Sequence, residues 1–191
     1  MEKPTEKLRP VTIERDDSRV AGTTLGHALH GTVRVEADGR TMAILRYDHG
    51  VLSGPATYFN AEGTPSAEVH HRNGKLGGKA RFYYPTGGMQ REAHYAQGQL
   101  HGSCRTWLED GTLLEDAHYR HGKLHGLFQR FHPNGRLALR QPYAAGKPLE
   151  QAESYSNEGR MLGEDGKPVS RWKQWWNGQT PHAPLAAHES A

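Results

Sequence analysis

Glycine recurs along this chain in three registers with a common spacing of 24 residues, and that period constrains the fold more than any other feature. One register holds Gly50, Gly74, Gly98, Gly122 and Gly146, and a second holds Gly39, Gly63, Gly87, Gly111, Gly135 and Gly159. A third holds Gly54, Gly78, Gly102 and Gly126, with Gly31 one residue out of phase ahead of it. A fixed period of about 20–50 residues specifies a repeat architecture, whose units bury apolar surface only by stacking on their neighbours. Such an array is elongated, and its function is expected on a surface rather than in a pocket.

The repeats run over residues 25–162, which leaves an N-terminal tail (1–24) and a C-terminal segment (163–191). Only 35% of the residues are hydrophobic, which fits a single-layer sheet that exposes much of both faces. The single cysteine, Cys104, excludes an internal disulfide and any paired-cysteine metal motif. The first 20 residues are charged and lack a signal-peptide run, and no segment has the length and apolarity of a membrane span. The expectation is a soluble cytoplasmic protein. Its 24 basic and 21 acidic residues are mixed rather than blocked, so the net charge of +3 and pI near 9.0 do not argue for nucleic acid as a partner.

The clearest unit is 98–122, which holds two runs of six to eight residues, SCRTWL and TLLEDAHY, bounded by glycine-centred turns. Runs this short read as strands joined in hairpins. Asp38-Gly39, Asn73-Gly74, Asp110-Gly111 and Asn134-Gly135 are dipeptides that tolerate positive φ in tight turns. The predicted fold is therefore all-β, an elongated single-layer antiparallel meander of 24-residue hairpin repeats.

Other columns share the period. First strands carry Phe59, Tyr83, Trp107, Phe131 and Tyr155, and second strands carry Tyr47, Tyr95, Tyr119 and Tyr143 with His71 in the remaining place. Leu52, Leu76, Leu100 and Leu124 precede the third glycine register, while Met89, Leu113, Leu137 and Met161 follow the second. Aromatic and aliphatic ladders along one face of about eleven or twelve strands are expected, with two open edges needing protection. Val11 to Arg15 reads as an edge strand, and 1–10 and 181–191 as disordered. At 167–180, Trp172, Trp175 and Trp176 at i, i+3, i+4 after Ser170 predict a short helix that caps the array or anchors a partner.

No constellation predicts an enzyme. The histidines His70, His94 and His118 recur about two strand spacings apart, roughly 10 Å, too far to share one Zn²⁺. His101, His121 and His125 belong to turns. Glu68, Glu92 and Asp116, with Arg140 breaking the series, read as a solvated strand face. Cys104 has no nucleophile's partners, and every glycine serves the hairpin pattern rather than a phosphate loop. No cofactor or metal is expected.

The column two residues before the first-strand aromatics varies more: Thr57, Arg81, Arg105, Gln129 and Glu153. Strand alternation puts these on the aromatic face. Aromatics flanked by arginine match the composition of protein interfaces, although arginine stems covering an aromatic ladder through cation–π contacts give the same pattern. The candidate partner-binding residues are Arg81, Tyr83, Arg105, Trp107, Gln129 and Phe131, with Trp172 and Trp176 of the predicted helix.

Gly98-Gln99-Leu100-His101-Gly102, Trp107, Gly111, Leu113, Tyr119 and Gly122 resemble the MORN repeat, in the variant found in bacterial antitoxin-component proteins of the YwqK type. The next copy matches through Gly122-Lys123-Leu124-His125-Gly126, Phe131, Gly135, Leu137, Tyr143 and Gly146. The resemblance implies a MORN-type antiparallel sheet and a non-enzymatic antitoxin or immunity protein that occludes a cognate toxin or effector. Two alternatives stand behind that leading reading: a peripheral lipid-binding module, as the resemblance to other MORN proteins implies but the mixed charge disfavours, and a scaffold that dimerises through an open sheet edge.

Overall fold

Two kinds of tight turn alternate along the chain and account for two of the glycine registers. The structure is a computed structural model that describes residues 7–169. At His49–Gly50, Asn73–Gly74, Gln97–Gly98, His121–Gly122 and Ala145–Gly146 both residues have positive φ, 47–54° for the first and 75–83° for the glycine. This is the two-residue type I′ hairpin, whose twist matches that of its strands. At Gly63, Gly87, Gly111, Gly135 and Gly159 only the glycine is left-handed (φ 77–88°), and its N–H donates to the carbonyl three residues earlier at 2.8–3.0 Å. That is the three-residue loop, a type I turn followed by a left-handed glycine. Asp110 and Asn134 thus lack the positive φ their dipeptides suggested. Their side chains instead accept bonds from the Thr112 N–H (2.8 Å) and the Arg136 N–H (3.1 Å), closing the turn.

The third register breaks a strand. In the strand Gln99–Trp107, Leu100 pairs with Tyr95 but Cys104 pairs with Ala93, so this strand advances four residues while its neighbour advances two. Gly102 lies in the bulge at φ 105°, where a Cβ would come within 3.3 Å of the His94 Cβ. The same break separates Lys75–Leu76 from Gly78–Tyr83 and Lys123–Leu124 from Gly126–Phe131. Bulges of this kind bend the strand and increase its twist. Each bulge is held by the next I′ turn, whose glycine N–H donates to the leucine carbonyl: Gly50 to Leu29, Gly74 to Leu52, Gly98 to Leu76, Gly122 to Leu100 and Gly146 to Leu124, all at 2.7–2.8 Å. The first and third registers are two halves of one inter-repeat contact.

The described residues form one open antiparallel sheet of nineteen strands in chain order, from Leu8–Arg15 to Met161–Leu162, without a helix. Five two-residue strands are pieces set off by a bulge, so the sheet has fourteen full-width rungs rather than eleven or twelve. The edge strand expected at Val11 to Arg15 extends back to Leu8, taking in residues expected to be disordered, and pairs with Ser18–Leu25. The predicted tryptophan helix, with Trp172, Trp175 and Trp176, lies outside the described residues.

Register divides the side chains into two faces. On one, Val33, Ala43, Ala56, Val69, Ala80, Ala93, Cys104 and Ala117 are each at most 8% exposed. Most of them pair directly across the sheet, as in Ala80↔Ala93↔Cys104↔Ala117. Small residues suffice because Leu45, Tyr58, Leu76, Phe82 and Tyr95 pack over the buried cluster. Beside this row the tyrosine and leucine columns merge into one alternating ladder, Tyr47↔Leu52, His71↔Leu76, Tyr95↔Leu100, Tyr119↔Leu124. The first-strand aromatics occupy the opposite face, since Ala80 and Phe82 already point to the core. The aromatic columns expected on one face are divided between two.

Candidate protein-binding face

Opposite the core face, the register interleaves two columns that the sequence presents separately. Glu68 pairs with Arg81, Arg81 with Glu92, Glu92 with Arg105, Arg105 with Asp116, Asp116 with Gln129, Gln129 with Arg140, and Arg140 with Glu153. The result is a row across eight strands in two runs of alternating charge, Glu68 to Asp116 and Arg140 to Glu153, separated by the neutral Gln129. Arg81 Nε lies 3.3 Å from Glu92 Oε2 and Arg81 Nη1 3.6 Å from Glu68 Oε2. Arg105 Nε donates to Asp116 Oδ2 at 3.0 Å, and Arg140 Nη1 lies 3.5 Å from Glu153 Oε2. The arginines therefore extend to carboxylates on neighbouring strands instead of lying over the aromatic column. Opposite charges placed directly across a strand pair stabilise it, although exposure and salt weaken each pair.

Beside the charged row, Tyr83 pairs with Met89, Trp107 with Leu113, Phe131 with Leu137 and Tyr155 with Met161. Tyrosine hydroxyls tie the rows together: Tyr83 Oη donates to Glu68 Oε2 and Tyr155 Oη to Glu153 Oε2, both at 2.8 Å. Burial, reinforced by the hydrogen bond to Glu153, pushes the Tyr155 hydroxyl up to about 12. Burial and the bond to Glu68 raise Tyr83 as well. Burial opposes ionisation of Glu92, but hydrogen bonds from Lys79 and Arg81 outweigh it and hold its carboxyl below the usual range.

The six candidate residues on described strands, Arg81, Tyr83, Arg105, Trp107, Gln129 and Phe131, thus share one face and two adjacent rows. Trp172 and Trp176 lie outside the described residues. The carboxylate partners, read from sequence as a separate solvated column, are half of the row. Their signal was present: Arg81 is 13 residues from Glu68 and 11 from Glu92, and the same alternation continues to Asp116.

At Gln129 the alternation changes phase: a neutral side chain stands between Asp116 and Arg140. Asp116 Oδ2 is taken by Arg105, while Asp116 Oδ1 is buried with no hydrogen-bond partner. A buried carboxylate oxygen of this kind is costly unless something donates to it. Trp107 and Phe131 stand in the neighbouring row on the two strands that flank Asp116. A lone carboxylate oxygen is the acceptor that a guanidinium or ammonium satisfies best.

The fold defines a repeat-sheet protein. The MORN repeat variant matches two segments, residues 76–97 and 124–145, each beginning at a bulge leucine and ending at the residue before an I′ glycine. Two MORN repeat variants within the array mark the chain as carrying a repeat protein-interaction module. No curated protein matches the chain in sequence.

Proposed function

We propose that this chain is a non-enzymatic antitoxin or immunity protein of the bacterial cytoplasm, which neutralises a cognate toxin or effector by covering it with the charged and aromatic face. The observation that carries the reading is the unpartnered Asp116 Oδ1 opposite Gln129, on a strand flanked by those that carry Trp107 and Phe131. A face that receives a partner's arginine or lysine leaves a carboxylate oxygen open at such a rung. The toxin as partner rests on the resemblance of the repeats to those of antitoxin-component proteins. A lipid surface fits less well, because the face alternates in sign where an anionic membrane calls for clustered cations.

The test is Gln129→Arg. This substitution places a guanidinium opposite Asp116 from within the sheet, so partner affinity should fall while the sheet remains folded by circular dichroism. Unchanged affinity would remove the face from the binding site. Flotation of the chain with anionic vesicles at about 0.15 M salt would favour lipid binding instead. Light scattering would reveal a homodimer formed through a sheet edge.

A further inference from the structure

Each bulge is covered by the next I′ turn, and this contact brings one side chain of the bulge against two of the turn. Along the array the trios are His30 with Asp48 and His49, Ser53 with Arg72 and Asn73, Gly77 with Ala96 and Gln97, His101 with Arg120 and His121, and His125 with Ala144 and Ala145. The first trio alone combines two imidazoles with a carboxylate. Its potential ligand atoms all lie within 4.8 Å of one another. His49 Nδ1 is 2.7 Å and His30 Nδ1 3.4 Å from Asp48 Oδ1, and the two rings meet edge to face with centroids 5.0 Å apart. Ligands about 2.1 Å from a tetrahedral metal sit about 3.4 Å apart, so small side-chain rotations bring all three into range.

From this juxtaposition we propose that His30, Asp48 and His49 form a surface site for a divalent transition metal of the Zn²⁺ class, with its remaining coordination positions open to water or to a partner's side chain. Two neutral imidazoles and one carboxylate are a donor set for Zn²⁺, Cu²⁺ or Ni²⁺ rather than for Ca²⁺ or Mg²⁺. The backbone organises the set in advance. The left-handed conformation of His49 (φ 47°) and the Gly50 N–H bond to the Leu29 carbonyl fix turn and bulge in register before any metal binds. His101 and His121 provide an internal control. Their rings meet in the same way, at 5.2 Å, but Arg120 stands where Asp48 does, and a cation there opposes metal. Arg46 and Arg72 line the groove beside the first trio, which places the burden of attraction on Asp48.

The experiment is calorimetric titration of the full chain with Zn²⁺ alone, repeated for His30→Ala with His49→Ala, for Asp48→Asn, and for His101→Ala with His121→Ala. The expected result is one saturable equivalent, weakened about 100-fold or lost in the first two variants and retained in the third. Co²⁺ should give visible absorption that disappears in the same two variants. Absence of saturable binding to the full chain overturns the proposal, as does binding that the first two variants leave undiminished. Asp48→Asn keeps the test decisive should the double variant fold poorly.

Discussion

Gln129 faces Asp116 directly across a strand pair, and Asp116 Oδ1 is left buried with no hydrogen-bond partner. Everywhere else between Glu68 and Glu153 a carboxylate in this row faces an arginine. Gln129→Arg sets a cation opposite Asp116 on one side and opposite Arg140 on the other, so the attraction and the like-charge repulsion offset, and urea unfolding should show a change within about 0.5 kcal/mol. A larger loss of stability would mean that repulsion from Arg140 outweighs the pairing with Asp116.

Ala145 occupies the first position of an I′ turn at φ 51°, where alanine has no polar side chain to offset the left-handed strain. Ala145→Gly should stabilise the chain by about 1 kcal/mol, seen as a higher urea midpoint with an unchanged slope. Gly146→Ala, at φ 83° in the same turn, should do the opposite.

His71 holds the place that tyrosine fills in neighbouring repeats; it is buried, and its Nδ1 has no partner. Burial, then the nearby charge of His70, lowers its pKa from 6.5. The folded state therefore binds fewer protons than the unfolded state between the lowered value and 6.5, and stability falls as pH drops through that window. Titration of the thermal midpoint should show this loss, and His71→Tyr should remove that part of it. The same profile in His71→Tyr would assign the acid sensitivity to other groups.

Ala93, Cys104 and Ala117 pair in one row at 0%, 3% and 0% exposure, and Arg91 lies over Cys104 with Nε 3.2 Å from Sγ. No space remains above them. Ala117→Leu should cost about 1–3 kcal/mol through overpacking, and Cys104→Ala less than about 1.5 kcal/mol. Denaturant unfolding of the two variants compares them directly.

How much of this was legible in the sequence depended on what each residue type reports. Glycine reports backbone conformation, so its 24-residue registers were sufficient for the hairpin meander. The division into two turn types was not legible, because Asp110-Gly111 and Asn73-Gly74 look alike as dipeptides and differ in loop length. The core row carries little signal in the sequence because Ala56, Ala80 and Cys104, though 24 residues apart, are small residues that bury little apolar area each. The candidate face was legible as a set of residues, Arg81 to Phe131, but not as a circuit. Which carboxylate meets which arginine depends on cross-strand register, and the bulges shift that register by two residues in each repeat.

The face around Gln129 is expected to hold a protein partner. The most direct measurement is co-purification from native cells with the wild-type chain and Gln129→Arg as parallel baits, followed by a toxicity assay of the protein recovered. The expected result is one stoichiometric partner whose toxicity the wild-type chain suppresses, and which Gln129→Arg fails to retain. Equal recovery by both baits, or no protein partner with the bait in the membrane fraction, would contradict it.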